Sequence, residues 1–322
     1  MRRTIAAFVA APLLFTAACG GSGDDGDTDG TAGGGGTDEV TVGVIPIVDV
    51  APIYLGVEQG FFEERGIDVT LESGQGGAAI VPGVVSGQFQ FGFSNVTSLL
   101  LASSEGLPLQ AVANGVTSTG EQGNDFGAVV ALPDSGIADA AGLAGKRIAV
   151  NTLNNIGTTT VNESIRTAGG DPSSVQYVEL PFPDMTAALS QGNVDAAWVV
   201  EPFVAQAKAA GAQVVASNFV DTADDLTVAT YFTSQQVAGE DADLVARFTE
   251  AMNESLAYAD ANPDAVREIL GTYTQISPEV AAAMVMPRWP TEINRDSMQV
   301  LADLAVEDGL IEEAPDLETL LP

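Results

Sequence analysis

The sequence predicts an α/β fold in which strands and helices alternate twice. The first observation is periodicity. Val40-Thr41-Val42-Gly43-Val44-Ile45 and Ile67-Asp68-Val69-Thr70-Leu71-Glu72 alternate as half-buried strands do. The second is that strands lead through short Gly-, Pro- or Asn-containing loops into helical patterns. The third is recurrence: the alternation fills roughly residues 40–125, restarts over 133–218, and gives way to a helical tail. No residue-by-residue repeat accompanies it, so the reading is two similar units and no tandem array.

The first unit opens with the strand at Val40 and a loop from Pro46 to Ala51. Pro52 fits the first helical position, Ile53 and Val57 share a helix face, and Gly60 fits its end. The run 61–66 reads as a short turn closed by Gly66. After the strand 67–72, Ser73-Gly74-Gln75-Gly76-Gly77 leads into a helix over 78–86. That Gly-rich loop can cradle a phosphate or simply connect, and it matches neither G-x-G-x-x-G nor a P-loop. Phe89-Gln90-Phe91-Gly92-Phe93 is a strand, and Ser94 or Asn95 caps the helix 96–104. A strand over 107–113 ends in a polar, Gly-rich loop over 114–124. The second unit follows: strands at 127–132, 146–150, 175–180, 194–200 and 214–216, helices at 158–168, 185–189 and from Glu201-Pro202-Phe203 to about 210. An extended stretch over 226–234 precedes tail helices at 242–261, 263–270, 278–286 and 295–308.

The leading residues predict an address. Met1-Arg2-Arg3, an apolar run from Ile5 to Phe15 and the pair Ala17-Ala18 read as a secretory signal over 1–18. The run is too short to span a bilayer. Cys19 is the only cysteine, so no internal disulfide can form. Its place after Ala17-Ala18 resembles a bacterial lipoprotein box, with Thr16 where such boxes usually carry Leu. A lipidated Cys19 would fix the chain to the outer face of the membrane; the alternative is an ordinary signal with an incidental cysteine. Residues 19–38, almost all Gly, Asp, Ser and Thr, read as a flexible tether.

Without Arg2 and Arg3 the chain holds nine basic against 44 acidic residues, a net charge of −35. Nucleic acid is excluded as a partner on that balance. The sequence has no histidine, which removes Ser-His-Asp and Cys-His catalysis and histidine metal sites. No EF-hand spacing appears, and no metal or cofactor is expected.

Five blocks in order carry a resemblance. They are Ala51-Pro52-Ile53-Tyr54 with Gly60-Phe61-Phe62; Gly66-Ile67-Asp68-Val69; Gly87-Gln88-Phe89-Gln90-Phe91-Gly92-Phe93-Ser94; Leu143-Ala144-Gly145-Lys146-Arg147-Ile148-Ala149-Val150; and Ala187-Ala188-Leu189-Ser190-Gln191-Gly192-Asn193-Val194-Asp195-Ala196-Ala197 leading into Glu201-Pro202. Over residues 40–310 the chain resembles bacterial ABC-transporter solute-binding lipoproteins, in the branch of nitrate, sulfonate, taurine, riboflavin and thiamine-pyrimidine-precursor binders. The resemblance implies a periplasmic-binding-protein type II fold: two α/β lobes joined by two hinge strands. Lobe one is expected at 40–127 plus 233–322, lobe two at 128–232, with crossings near Ala128–Leu132 and Leu226–Thr233. It further implies an exported, lipid-anchored monomer whose partners are a small solute and an ABC permease. The same fold hosts a fungal pyrimidine-forming enzyme that consumes its own histidine, absent here, and cytoplasmic enzymes of menaquinone synthesis, against which the signal argues.

In such folds the loops at the carboxyl ends of strands line the cleft. Lobe one then offers Asp49, Pro52, Tyr54, Gln75, Gly76, Ser94 and Asn95; lobe two offers Asn151, Asn154, Asn155, Gly157, Thr158 and Glu201. The helix near Thr158 can hold an anion on its free N–H groups or be capped by Asn155 or Thr158. Asp49 can cap the Pro52 helix, accept N–H from a ligand, or both. Glu201 can serve the ligand or the following helix dipole. Trp198 reads as core. Tyr54 and Trp289 can sandwich a flat ring, Trp289 alternatively being surface-packed. With no Lys or Arg in these loops, the expected solute is a neutral or amino-bearing heterocycle, and a sulfonate, taurine or nitrate-type anion is the alternative. The acidity fits a salty habitat, since molar salt screens self-repulsion to about 3 Å. The expected outcome is a higher melting temperature in molar salt than in dilute buffer, and an indifferent protein would sink that reading.

Overall fold

Val40, Val42 and Val44 point into the core of the first strand, which explains its alternation. The computed structural model describes residues 36–321; the signal, Cys19 and most of the tether lie outside the described residues. The strands are β1 (Asp38–Val44), β2 (Ile67–Ser73), β3 (Phe91–Asn95), β4 (Leu109–Thr117), β5 (Gly127–Ala131), β6 (Arg147–Val150), β7 (Gln176–Glu179), β8 (Ala196–Val200), β9 (Gln213–Ala216) and β10 (Thr227–Ser234). They form two five-stranded sheets, in the orders β2-β1-β3-β10-β4 and β7-β6-β8-β5-β9. In each, three strands are parallel (β1, β2, β3; β6, β7, β8), and an antiparallel strand, β10 or β5, joins them to the edge strand.

The helices are α1 (Ala51–Gln59), α2 (Gly77–Val85), α3 (Val96–Ser104), α4 (Ile156–Thr167), α5 (Phe182–Ser190), α6 (Phe203–Ala209), α7 (Asn218–Thr222), α8 (Gln235–Glu240), α9 (Ala242–Ala261), α10 (Pro263–Tyr273), α11 (Pro278–Ala283), α12 (Arg295–Glu307) and α13 (Leu317–Leu320). Successive strand residues face opposite sides, and β3 shows what covers each. Phe91 stacks on Phe248 of α9 at 3.8 Å between ring centroids. At Gly92 an added Cβ would lie 2.7 Å from Ile80 of α2. Both faces of the sheet are therefore under helices, as parallel strands require. The architecture is the expected periplasmic-binding-protein fold of two α/β lobes.

Three local readings shift. Ser94 and Asn95 extend β3, because β10 pairs with both, and Asn95 also caps α3 as expected, its Oδ1 accepting from Ser98 N at 2.9 Å. Residues 114–117, expected in a loop, continue β4: β10 extends the ladder to Thr117, and Asn114 is buried with its Nδ2 donating to the Pro290 carbonyl at 2.7 Å. The short helices α7, α8 and α13 carry too few residues to show a helical period in sequence. The chain passes between sheets at 118–126 and returns at 217–226, so the expected crossing stretches are themselves sheet strands, β5 and β10.

The lobes are tied beyond the crossings. Arg166 of α4 pairs with Asp308, just past α12, and with Glu307 at 3.1 Å and Glu163 at 3.0 Å. Asn162 donates to Asp308 at 3.0 Å and accepts from the Tyr177 hydroxyl at 2.6 Å. Exposed ion pairs contribute little, but this one is largely covered and shared among several acceptors. Arg166→Gln should lower unfolding free energy by about 1–2 kcal/mol in dilute buffer, with the loss shrinking in molar salt; denaturant titration at both salt concentrations checks this.

Candidate functional site

The carboxyl ends of β1, β2, β3, β6, β7 and β8 face one another, and their loops meet in two different ways. On the β3/β6 side they are bonded directly. The Asn155 carboxamide Oδ1 accepts from Gly157 N at 3.0 Å and Thr158 N at 3.3 Å, and the Thr158 hydroxyl closes the box back onto Asn155 N at 3.2 Å. Ile156 N donates across the lobes to Asn95 Oδ1 at 3.3 Å, and Thr159 N donates to the Asn155 carbonyl at 3.1 Å. All four orphan amides of the α4 N-terminus are thereby taken. Asn151 orients Asn155 through a 2.7 Å bond and donates to the Gln75 carbonyl of the other lobe at 3.0 Å. The approach is close enough that a Cβ at Gly76 would lie 2.8 Å from Thr152.

On the β1/β2/β7/β8 side the loops leave a cavity of about 260 Å³. Residues 45–47 and 73–75 line it from one lobe; Pro181, Phe182, Pro183 and Phe203 line it from the other. Phe182 and Phe203 lie nearly parallel, 13° apart at 5.6 Å between centroids, and Phe182 also touches Trp198 at 5.6 Å. Behind residues 45–47, Tyr273 donates to the Ile47 carbonyl at 3.0 Å and stacks on Tyr54 at 3.9 Å.

Two carboxyls are buried beside these loops. Asp49 is 3% exposed and its Oδ1 has no hydrogen-bond partner. Burial pushes its acid up to about 8, helped by the charge of buried Asp125. Tyr231, on β10, lies within reach of the Asp49 charge, and its hydroxyl is likewise buried without a partner. Glu201 is pushed up to about 7, also by burial, against the pull of two backbone donors. Its Oε2 accepts from Ala205 N at 3.0 Å and its Oε1 from Val285 N at 3.1 Å, while its carbonyl accepts from Val48 N at 3.0 Å.

Of the residues expected at the site, Gln75 lines the cavity. Asn95, Asn151, Asn155, Gly76, Gly157 and Thr158 sit in the bonded seam or directly beside it; the Gly157 Cα lies against the Trp198 ring, where a Cβ would come to 2.4 Å. Ser94 is turned towards Gly77 of α2. Pro52 is buried in the first turn of α1. Asn154 lines a second cavity of about 380 Å³, with Thr158, Tyr177 and Asp308. Glu201 caps α6 and ties the 285 segment. Trp289 is 2% exposed and donates from Nε1 to the Asp49 carbonyl at 3.2 Å, so Tyr54 faces Tyr273 and not Trp289. Phe182, Phe203, Tyr231 and Tyr273 were not singled out, although Phe203 closes a loop, 198–203, expected to line the cleft. The signals for the first two are the Pro-Phe-Pro run after β7 and the residue following Glu201-Pro202; only five tyrosines exist, and three gather near Asp49.

Comparison with known proteins places this geometry in a family. The NMT1/THI5-like family matches residues 47–266. The chain belongs to that family. It is 24% identical over 345 residues to an ABC transporter periplasmic binding protein of Brachyspira hyodysenteriae, covering 97% of this chain and 94% of that protein. It is 27% identical over 208 residues to the taurine-binding periplasmic protein of Escherichia coli, covering 63% and 61%. It is 29% identical over 148 residues to the 4-amino-5-hydroxymethyl-2-methylpyrimidine phosphate synthase of Aspergillus parasiticus, covering 45% and 40%. Among solved structures, the periplasmic aliphatic sulphonate binding protein of Escherichia coli superposes with a TM-score of 0.71 at 19% identity, over 87% of this chain and 96% of that one.

The buried acids of this NMT1/THI5-like chain set a pH dependence. Both bind protons more tightly folded than unfolded, so their contribution to stability is full below about pH 4 and is lost as pH rises towards 8. Denaturant titrations between pH 5 and 8.5 should show falling stability over that window, and Asp49→Asn should flatten the slope. An unchanged slope in the variant would remove Asp49 from this account.

Proposed function

We propose that this extracytoplasmic solute-binding protein of an ABC importer captures a neutral or amino-bearing N-heterocycle, of the pyrimidine or flavin-precursor kind, and delivers it to a membrane permease. The observation that supports the ligand class is the filled N-terminus of α4. An anion there would meet no free amide, and the ionisable groups at hand are the carboxyls of Asp49 and Glu201. Asp49 Oδ1, buried and unpartnered, suits an N–H donor on a ring or amine. The similarity to a fungal pyrimidine phosphate synthase points the same way, although the absence of histidine removes the self-consuming chemistry that the family resemblance attaches to such enzymes. The chain acts by binding, as a monomer held to the membrane through lipid on Cys19. The similarity to a taurine-binding protein favours the second reading, the same role for a sulfonate-type or nitrate-type anion.

A melting-temperature screen against pyrimidines, vitamins, sulfonates and aromatic acids tests the proposal. A ligand at 100 times its Kd stabilises by about 2.7 kcal/mol. The expected response is to a heterocycle, bound stoichiometrically and recovered unchanged. A response confined to sulfonates would replace the heterocycle by an anion, and turnover of the bound compound would make the protein an enzyme.

A further inference from the structure

Both halves of the folded chain are acidic. Residues 40–127 and 233–322 hold 27 acidic against 5 basic side chains, and 128–232 hold 11 against 4. Like charge on the two lobes drives them apart in dilute buffer. Arg288 pairs with Asp225 at the return crossing, where the lobes are joined by the chain itself. Away from the crossings, Arg166 of α4 reaches the other lobe, pairing with Asp308 and with Glu307 at 3.1 Å, while its own helix adds Glu163 at 3.0 Å. The Arg166 and Asp308 side chains are 20% and 11% exposed, so water screens this pair only in part.

The surroundings demand a cation at that point. Helix α12 ends on Glu307 with Asp308 as its C-cap, and its last turn holds no basic residue. Both carboxylates therefore meet the negative end of a helix dipole. Arg166 stands in the last turn of α4, where the dipole has the same sign. Three carboxylates and two helix C-termini thus share one guanidinium. Asp308 is gripped on its second oxygen as well: Asn162, one turn earlier on α4, donates to it at 3.0 Å. At its other end, about 18 Å away at ~1.5 Å per residue, α4 is bonded to lobe one through Ile156 and Asn95. The helix is pinned across the lobes at both ends, by neutral hydrogen bonds at one and by charge at the other.

We propose that Arg166, Glu307 and Asp308 form a charge latch that offsets the mutual repulsion of the acidic lobes and keeps them closed in dilute buffer, a task that concentrated salt makes unnecessary. The lobes cannot part with the latch intact, because its two sides belong to different lobes. Without Arg166, the carboxylates of Glu163, Glu307 and Asp308 face one another, and attraction becomes repulsion. Molar salt shortens the reach of both to about 3 Å, so the latch and the repulsion that it opposes fade together. Arg166 thereby makes closure insensitive to ionic strength. A smaller closed fraction lowers apparent affinity in proportion, whichever solute is bound.

Small-angle X-ray scattering of the purified, solute-free protein in dilute buffer and in molar sodium chloride tests it. The parent is expected to keep one radius of gyration in both. Arg166→Gln should expand in dilute buffer, its closed-to-open ratio about tenfold lower, and return to the parent radius in molar salt. A variant combining Arg166→Gln, Glu307→Gln and Asp308→Asn should expand less than Arg166→Gln alone, because the repelling carboxylates leave with the cation. An Arg166→Gln protein as compact as the parent in dilute buffer overturns the latch, and so does a parent that itself expands there. Expansion of Arg166→Gln that persists in molar salt, or a triple variant expanded as far as the single one, makes Arg166 a packing residue and overturns it too. Should Arg166→Gln alone not fold in dilute buffer, recovery of a compact protein in the triple variant carries the proposal, and failure to recover refutes it.

Discussion

Helix α4 starts with no amide to spare, and the meeting of the two lobes depends on that. Asn155 satisfies two of its N–H groups with its side chain, the Thr158 hydroxyl takes the amide of Asn155 itself, and Asn95 reaches across from β3 to take the remaining one. Helix N-termini are the standard place to hold an anion without a basic side chain. Here the same geometry is spent on joining lobe to lobe. The seam formed by Asn95, Asn151 and Asn155 also spaces the loops at the carboxyl ends of the strands. Where the sheets run on past the seam, towards β2 and β7, the cavity appears.

Burial of acid is the second constraint. Asp49, Asp125 and Glu201 all lie out of water, and each is held differently. Asp125 accepts from Ser118 at 2.6 Å and from the amides of Thr119 and Phe126, so burial raises its acid against strong local opposition. Glu201 has two backbone donors. Asp49 has an oxygen with none, which is why burial moves it furthest of the two whose shifts are large. An unsatisfied buried acceptor is expensive, and its persistence beside a cleft is the ordinary mark of a group kept for something outside the fold.

Much of the architecture was legible in the chain. The alternation at 40–45 and 67–72, the Pro52 and Gly60 punctuation, and the repeated strand–helix order were enough for two α/β units, and the five ordered blocks were enough for the family. The errors share one cause. Asn114 looked like loop because polar residues usually face water, yet β10 and the Pro290 carbonyl supply what it needs inside. Trp289 looked available to stack with Tyr54 on a flat ring, yet the Asp49 carbonyl draws its indole inward. Tyr54 did find an aromatic partner, but from α10, some 220 positions along.

By itself the sequence determined which residues could form strands and helices, that the folded chain is strongly acidic, and that histidine chemistry is absent. Those are properties of local pattern and composition, fixed before any long-range contact exists. Tertiary structure alone decided which loops touch, that the asparagines face one another and not open solvent, and that Phe182 and Phe203 border a gap beside the bonded seam. Hydrogen-bond saturation and enclosure are pairwise facts between distant segments, and a linear pattern carries neither.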